Sequence, residues 1–311
     1  MPLRRRECVG TRHIFLCRGC GEVVRRECGK MHRFYKYMAS EHWYDWLKEC
    51  KLKVTKPSEF ADPFDCTGTC RNEWSEAGID WSHGTEEFLK KVNDRSWADE
   101  FLRVLCLTDA SVCDDAADVL FWSHYASGGR GVRVCFEITS DDEVFSPAGQ
   151  MECMRYCHAK PVFNGKAVRL DAEGKIKTGL ADYLHECVWT KGNGWAYEHE
   201  ARVIFDAKNV HKRTAEDGAV LDCVNFLSSS VKEITFGPMF DREEAKDLAF
   251  GLMTKYKDSN LFKIATRDIV RYRYDYFDLF EDYEITVKTR GLDERVLAES
   301  LDDGVEGSLQ S

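Results

Sequence analysis

Glutamate and arginine alternate in a segment late in the chain, a pattern typical of residues that bind a charged ligand or one another. The segment reads Trp195-Ala196-Tyr197-Glu198-His199-Glu200-Ala201-Arg202. In a strand, Glu198, Glu200 and Arg202 would share one face at a spacing of about 7 Å. Like charges on one face are costly unless a cation lies between them. Two hypotheses stay open: an internal ion-pair ladder closed by Arg202, or a substrate site of catalytic carboxylates with shifted pKa values.

A second segment combines aromatic rings, a hydroxyl, an imidazole and a glycine-rich turn. It reads Leu120-Phe121-Trp122-Ser123-His124-Tyr125-Ala126-Ser127-Gly128-Gly129-Arg130-Gly131 and leads into a predicted strand. Ser123 and His124 are adjacent, so on a helix their side chains need not face each other, and adjacency alone does not define a catalytic dyad. The turn offers backbone N–H groups and the Arg130 guanidinium to an anion, but it lacks the Lys-Ser/Thr of a P-loop.

Two acidic pairs are further candidates. Asp62 and Asp65 flank Pro63-Phe64, and because proline ends a helix, the two carboxylates are expected on a turn. They either build that turn or present a carboxylate to a cationic or hydroxyl-bearing ligand. Asp182 and Glu186 are four residues apart and would be neighbours on a helix, either as solvated surface acids or as part of a site.

Cysteine usage indicates reduced thiols and predicts no metal. Fourteen cysteines are spread over 311 residues, many of them within apolar runs, so we expect mostly buried free thiols. Cys17-Arg18-Gly19-Cys20 has the spacing of a zinc knuckle, and possible further ligands are Cys8, Cys28, His13 and His32. Because a second close pair is missing, zinc binding by these cysteines stays an open alternative.

Short predicted strands and helices, recognised by the spacing of their apolar residues, must position these side chains. Strand-like segments, rich in β-branched and aromatic residues, occur at 34–38, 52–55, 104–108, 131–138, 154–160, 201–205, 231–236 and 262–266. Helical spacing occurs at 43–47, 88–92, 183–188 and 241–256. The last of these begins with Asp241 as a plausible N-cap. The pattern predicts an α+β fold: a single compact domain with a mixed or antiparallel sheet flanked by helices.

Composition and charge suggest three parts. A hydrophobic content of 43% over 311 residues is enough for a sizeable core. The net charge is −10, yet residues 1–33 hold nine Lys/Arg against three Glu. We therefore expect a basic cysteine-containing arm at 1–31, a catalytic domain at 32–290 and a disordered acidic tail at 291–311. Lacking a signal sequence or an apolar stretch of about 20 residues, the protein is expected to be cytoplasmic, with no membrane partner.

The order of these segments resembles a known family, domain of unknown function twenty-nine seventy-one. The resemblance covers about residues 33–270 and rests on Phe34-Tyr35-Lys36-Tyr37, Phe60-Ala61-Asp62-Pro63-Phe64-Asp65, Trp122-Ser123-His124-Tyr125-Ala126 with Gly131-Val132, Arg155-Tyr156 with Lys160-Pro161-Val162, Trp195-Ala196-Tyr197-Glu198-His199-Glu200-Ala201-Arg202 and Ile234-Thr235-Phe236-Gly237. The motifs Trp-Ser-His-Tyr and Tyr-Glu-x-Glu-x-Arg indicate this family when they occur together, whereas neither motif alone does. Ala61 stands where the family loop more often has Asn.

The resemblance implies an enzyme similar to the fungal arginine-containing cyclodipeptide synthases, which release a cyclic Arg-Xaa diketopiperazine. The expected partners are aminoacyl-tRNAs, namely Arg-tRNA and a second charged tRNA, and no cofactor is expected because both esters are already activated. Glu198 and Glu200 would bind the guanidinium and ammonium groups, Ser123 would hold an aminoacyl intermediate, and His124 would shuttle the proton. The remaining expected substrate-binding residues are Asp62, Asp65, Trp122, Tyr125, Arg130, Asp182, Glu186, Tyr197 and Arg202.

Two alternatives belong to other classes. The aromatic first strand and the late Glu-x-Glu segment also resemble ADP-ribosyltransferases, in which Glu200 would steady the nicotinamide ribose of NAD. Lys36, however, stands where that layout would have His or Arg. The other alternative is a non-catalytic module that binds a small cation. The acidic body counts against tRNA binding, which only the basic arm and local patches would offset.

Overall fold

A computed structural model describes residues 13–16, 23–26, 32–41, 43–71, 90, 93–138, 144–164, 169–170, 176–177, 180–215, 218–258 and 261–281. The strands are β1 His13–Leu16, β2 Val23–Arg26, β3 His32–Met38, β4 Lys51–Lys53, β5 Thr69–Arg71, β6 Leu102–Asp109, β7 Val132–Ile138, β8 Phe145–Ser146, β9 Gln150–Cys153, β10 Arg155–Cys157, β11 Val162–Asn164, β12 Arg169–Leu170, β13 Ile176–Lys177, β14 Thr190–Gly192, β15 Glu200–Asp206, β16 His211–Thr214, β17 Val220–Phe226, β18 Val231–Phe236, β19 Phe262–Asp268 and β20 Arg273–Asp278. The α-helices are α1 Trp43–Lys48, α2 Ser96–Asp99, α3 Asp115–His124, α4 Leu180–Trp189 and α5 Arg242–Leu252.

The fold is α+β, built on an eight-stranded sheet. Its strand order is β20-β19-β18-β7-β3-β6-β15-β9. Neighbouring strands are antiparallel, except that β18 and β19 are parallel. The sheet is therefore mixed, as the sequence predicts. Four further pairs form two-stranded sheets: β1-β2, β5-β11, β10-β14 and β12-β13.

One face of the large sheet is covered by a second layer and forms the main core. Strands β16, β17, β4 and β8 make a smaller sheet. The ring of Phe136 on the large sheet lies 5.2 Å from that of Phe226 on β17. Helices α1 and α5 contribute Trp43 and Ala249 to the same cluster of buried side chains. Burying this apolar face is the main driving force for folding.

The opposite face is polar near the centre of the sheet and is partly covered by α3. This helix begins after Asp114, whose side chain accepts a hydrogen bond from the Ala117 N–H at 2.8 Å, as an N-cap should. Its Asp118 accepts a hydrogen bond from the Tyr37 hydroxyl and forms an ion pair with Arg133. These contacts hold α3 against β3 and β7.

Strands β3 and β6 separate partway along their length, which opens the sheet. Along all seven of its residues β3 pairs with β7, but its pairing with β6 is limited to Phe34↔Asp109 and Tyr35↔Thr108. Beyond Tyr35 the two strands diverge. The amino group of Lys36 reaches across and donates to the carbonyl of Cys106 at 3.0 Å. The gap between these strands forms part of a cavity.

Most predicted elements are confirmed, and one placement is wrong. Seven of the eight predicted strand segments fall on strands of similar extent, whereas that at 154–160 is only Arg155–Cys157. Helix α5 has Asp241 as its N-cap, as predicted. Glu198, however, is not in a strand with Glu200, because it ends a 3-10 helix, Asn193–Glu198. The predicted helix at 88–92 and the tail at 291–311 lie essentially outside the described residues.

Candidate functional site

A cavity of about 260 Å³ lies where β3 and β6 diverge. It is lined by Tyr35, Lys36, Tyr37, Thr55, Phe60, Ala61, Asp62, Asp65, Cys106, Leu107, Thr108, Phe121, Tyr125, Lys191, Trp195, Glu198, Glu200 and Arg202. Six of these side chains are aromatic, and four acidic residues face three basic ones. A concave site with aromatic walls and a few converging polar groups is typical of small-molecule binding.

Arg202 is the centre of a buried ion-pair network. Its Nε atom lies 2.6 Å from Glu200 Oε1, and its Nη2 atom lies 2.5 Å from Asp65 Oδ2. It also donates to the carbonyl of Val188 at 2.7 Å. The side chain has no exposed surface, so its charge requires these partners. The ion-pair hypothesis therefore describes the contact between Glu200 and Arg202.

Lys191 lies between the two glutamates of the predicted Glu-x-Glu pattern. Its Nζ atom is 2.5 Å from Glu198 Oε2 and 2.8 Å from Glu200 Oε2. The Trp195 ring lies against the same ammonium, 5.1 Å from its centroid. Lys191 is the cation that allows two carboxylates to share this wall. Sequence reasoning missed it, because Lys191 belongs to the short strand β14 and not to β15.

The two glutamates differ in their protonation. Burial raises the pKa of Glu198, and the opposing charge of Lys191 does not cancel this effect. Burial also acts on Glu200, but there the charges of Arg202 and Lys191 prevail and hold its pKa well below the usual range. Glu198 additionally accepts a hydrogen bond from the Tyr125 hydroxyl. A carboxyl group with a raised pKa in a cavity is suited to proton transfer.

His199 connects the two glutamates through a left-handed backbone conformation. Its φ and ψ are 43° and 44°, values that non-glycine residues seldom adopt. The His199 N–H donates to the carbonyl of Ala196 at 3.2 Å, and its own carbonyl accepts from the Asp109 N–H at 3.0 Å. This turn ends the 3-10 helix and starts β15, so Glu198 and Glu200 reach the same ammonium although they belong to different elements.

Six of the residues predicted from the sequence line the cavity together: Asp62, Asp65, Tyr125, Glu198, Glu200 and Arg202. Asp62 is half-buried, and its Oδ1 accepts from the Phe64 N–H at 2.9 Å. Asp65 is buried and bound to Arg202. Asp62 therefore both shapes the predicted turn and presents a carboxylate to the cavity.

The other predicted residues do not line this cavity. Trp122 is fully buried and donates to the Tyr276 hydroxyl at 3.0 Å. Ser123 and His124 are exposed on α3, and Arg130 is exposed in the following turn. Tyr197 packs near Phe121, with ring centroids 6.4 Å apart. Asp182 is exposed, and Glu186 pairs with Arg155 at 2.6 Å.

Thiols are not suited to act as nucleophiles in the cavity. Burial raises the pKa of Cys106, the cysteine that lines the cavity, far above the usual range, so the thiolate is disfavoured. The nine cysteines whose side chains the structure describes are free thiols. Within the described ranges, no three or more His, Cys, Asp or Glu side chains are grouped to hold a metal ion. Cys8, Cys17, Cys20 and Cys28 lie outside those ranges.

The chain is similar over part of its length to a known family. Residues 121–203 match the model of a family described as "Protein of unknown function (DUF2971)". The family resemblance expected from the sequence is confirmed over that segment, which includes Tyr125, Lys191, Glu198, Glu200 and Arg202. No curated protein and no solved structure matches the chain. Among the described helices, none has the length and apolar character required to cross a membrane.

Proposed function

We propose that the protein is a tRNA-dependent cyclodipeptide synthase that uses arginyl-tRNA and acts through Glu198. The observation that carries this proposal is the carboxyl group of Glu198, which has a raised pKa and lies in an aromatic cavity between the Tyr125 hydroxyl and the Lys191 ammonium. Aminoacyl transfer needs one proton to move from an attacking amine to a leaving oxygen. A single poised carboxyl group is sufficient for that step.

The reaction consists of two successive acyl transfers. The α-amine of one aminoacyl group attacks the ester carbonyl of the other, and the C–N bond forms as the C–O bond to the tRNA breaks. The Glu198 carboxylate takes the proton from the amine and returns it to the leaving ribose oxygen. The free amine of the resulting dipeptidyl-tRNA then attacks its own ester, releasing the second tRNA and closing the diketopiperazine ring. No external energy source is required, because both esters are activated.

The charge and shape of the cavity support a cationic substrate. Asp62 presents a carboxylate that is not engaged by Arg202 or Lys191 among the ion pairs of the described residues. Aromatic side chains such as Tyr35 and Phe121 line the same cavity. A guanidinium binds carboxylates through paired hydrogen bonds and stacks on aromatic rings. These contacts favour an arginyl side chain.

Placement of Ser123 favours direct attack over an aminoacyl-enzyme. Ser123 is exposed on α3 and does not line the cavity. Glu198 and Tyr125 do line it. We therefore propose that the amine of one substrate attacks the other ester directly, with both charged tRNAs bound.

ADP-ribosyl transfer is supported less well. Glu200, the residue that this alternative needs, is held by Arg202 and Lys191 at 2.6 and 2.8 Å, so it has little capacity left for a ribose.

Metabolite extracts test the proposal. Extracts of cells expressing the wild-type chain should contain an arginine-containing diketopiperazine that is missing from cells expressing Glu198→Gln at equal protein level. Loss of cellular NAD without such a product would favour ADP-ribosyl transfer. If neither product nor NAD changes, the non-catalytic alternative is favoured.

A further inference from the structure

Lys36 occupies a position where a charged side chain is unexpected. It lies on β3, near the middle of the eight-stranded sheet, and is paired with Val134. Alternation along the strand places Lys36 on the same face as Phe34. Both Phe34 and Val134 are buried members of the main core. A cation at such a position is costly unless specific partners compensate it.

Structural compensation explains only part of this placement. Lys36 donates one hydrogen bond to the carbonyl of Cys106. Because β3 and β6 have diverged at this point, that carbonyl is not paired with the backbone of β3. A lysine ammonium has three donors, and a neutral carbonyl does not balance its charge. Glu200 is the nearby anion, but Arg202 and Lys191 already pair with it at shorter range. Charge balance in the fold therefore does not require Lys36.

We infer that Lys36 binds and polarises the carbonyl oxygen of the substrate in the cavity that also contains Glu198. The inference rests on the proposed function and adds a second catalytic residue to it. Lys36 and Glu198 both line the same small cavity, so one bound ester can reach both. When the amine attacks, the ester oxygen becomes negative, and a positioned cation stabilises that charge most in a site with little water.

The surroundings of Lys36 suit this role. Burial lowers its pKa, opposed by the Cys106 thiol on β6 and Glu200 on β15, while Lys53 on β4 adds to the lowering. A lysine whose pKa is lowered gives up its proton more readily and is a stronger hydrogen-bond donor to a developing oxyanion. The same desolvation reduces the competition of water with a ligand for the ammonium.

Calorimetric titration with three ligands tests the inference, because each ligand carries a different set of the charged groups of arginine. Arginine carries the guanidinium, the ammonium and the carboxylate; agmatine carries the guanidinium and the ammonium but no carboxylate; and acetate carries only the carboxylate. The wild-type protein should bind arginine at least tenfold more tightly than agmatine. Lys36→Met should remove this preference while leaving the affinity for agmatine unchanged, which also shows that the variant is folded. Lys36→Arg should retain part of the preference.

A matched control is Lys48→Met, because Lys48 is exposed at the end of α1 and does not line the cavity. It should keep the wild-type preference. An equal preference for arginine in Lys36→Met and wild type would overturn the role of Lys36 and leave the proposed function standing. Binding of acetate alone, lost in Lys36→Met, would support Lys36 and contradict arginine as substrate. If wild type binds none of the three, both proposals are wrong.

Discussion

Glu198 and Glu200 lie two residues apart but meet different electrostatic surroundings. Glu200 has Arg202 and Lys191 within 2.8 Å, whereas Glu198 shares Lys191 and has a neutral hydroxyl, that of Tyr125, as its other partner. The first carboxylate is therefore held in its charged form, while the second exchanges its proton more easily. In this account Glu200 stabilises the wall of the cavity and Glu198 carries out the chemistry.

Glu200→Gln should destabilise the protein strongly. It leaves Arg202, which has no exposed surface, with one carboxylate instead of two. Breaking a buried ion pair typically costs about 3–5 kcal/mol. Urea unfolding of Glu200→Gln should show a loss of this size. Glu137→Gln, which removes a carboxylate paired with Arg33 and Lys232 near the surface, should lose about 1 kcal/mol or less. Equal losses in the two variants would contradict the structural role of Glu200.

The stabilising effect of Glu200 should also depend on pH. The pKa of Glu200 is lowered by folding, so its contribution is fully present above the unfolded value of about 4.3 and is lost as the pH falls through the folded value. The difference in unfolding free energy between wild type and Glu200→Gln should therefore be largest at neutral pH and shrink below about pH 4.

Ser123→Ala should retain product formation. Because Ser123 is exposed on α3 and outside the cavity, its hydroxyl is not placed to accept an aminoacyl group. Initial rates with charged tRNAs should remain within about twofold of wild type, and acid precipitation of wild-type protein after incubation with labelled Arg-tRNA alone should recover no label. Label that disappears in Ser123→Ala would establish the covalent route instead.

The turn at His199 determines how the 3-10 helix and β15 present their glutamates. Its φ of 43° costs a non-glycine residue about 1–2 kcal/mol. Replacement by glycine removes this strain without removing the backbone hydrogen bonds to Ala196 and Asp109. A β-branched residue tolerates the conformation least.

His199→Gly should therefore retain activity and lose little or no stability, because relief of strain offsets the greater flexibility of the unfolded chain. His199→Val should lower both the unfolding temperature and the activity by displacing Glu198. Thermal unfolding and product assays on the two variants make the comparison. If glycine abolishes activity while the variant remains folded, the imidazole itself takes part in the reaction.

Local patterns were sufficient to predict most elements but not how they meet. Asp241 is recognisable as an N-cap because capping depends on residues within one turn. Lys191 has no comparable signal, since its contacts with Glu198 and Glu200 arise from the packing of β14 beside β15. The divergence of β3 from β6, which exposes Lys36 to the cavity, is likewise a property of long-range pairing. The predicted roles of Ser123 and His124 came from a local motif, which does not show that both side chains lie on an exposed part of α3 outside the cavity.

At the scale of the whole molecule, charge is distributed unevenly along the chain. Residues 1–31 contain eight Lys/Arg and three Glu, whereas the entire chain has a net charge of −10. RNA phosphates would be attracted to the first segment and repelled by the rest. The proposed tRNA substrates therefore need the basic segment for affinity, while the cavity recognises only the aminoacyl end.

Deleting residues 1–31 should weaken binding of charged tRNA and reduce its dependence on salt. The deletion removes a net charge of +5. Log affinity falls with log salt, and each phosphate that the protein no longer neutralises makes this negative slope shallower by roughly 0.7–0.9. Titrations at several salt concentrations measure this slope. The binding of free arginine should not change, because the cavity is built from residues 35–202. Unchanged tRNA affinity at every salt concentration would place the tRNA on another surface.

One assay tests directly whether Glu198 transfers the proton during cyclodipeptide formation. Purified wild-type protein and Glu198→Gln are incubated with labelled Arg-tRNA and a mixture of other charged tRNAs, and the products are separated by chromatography and mass spectrometry. Wild type should release an arginine-containing diketopiperazine, and Glu198→Gln should be at least about 100-fold slower at a temperature where its circular dichroism shows that it is still folded. Equal rates for the two proteins, or no diketopiperazine from wild type, would contradict the account.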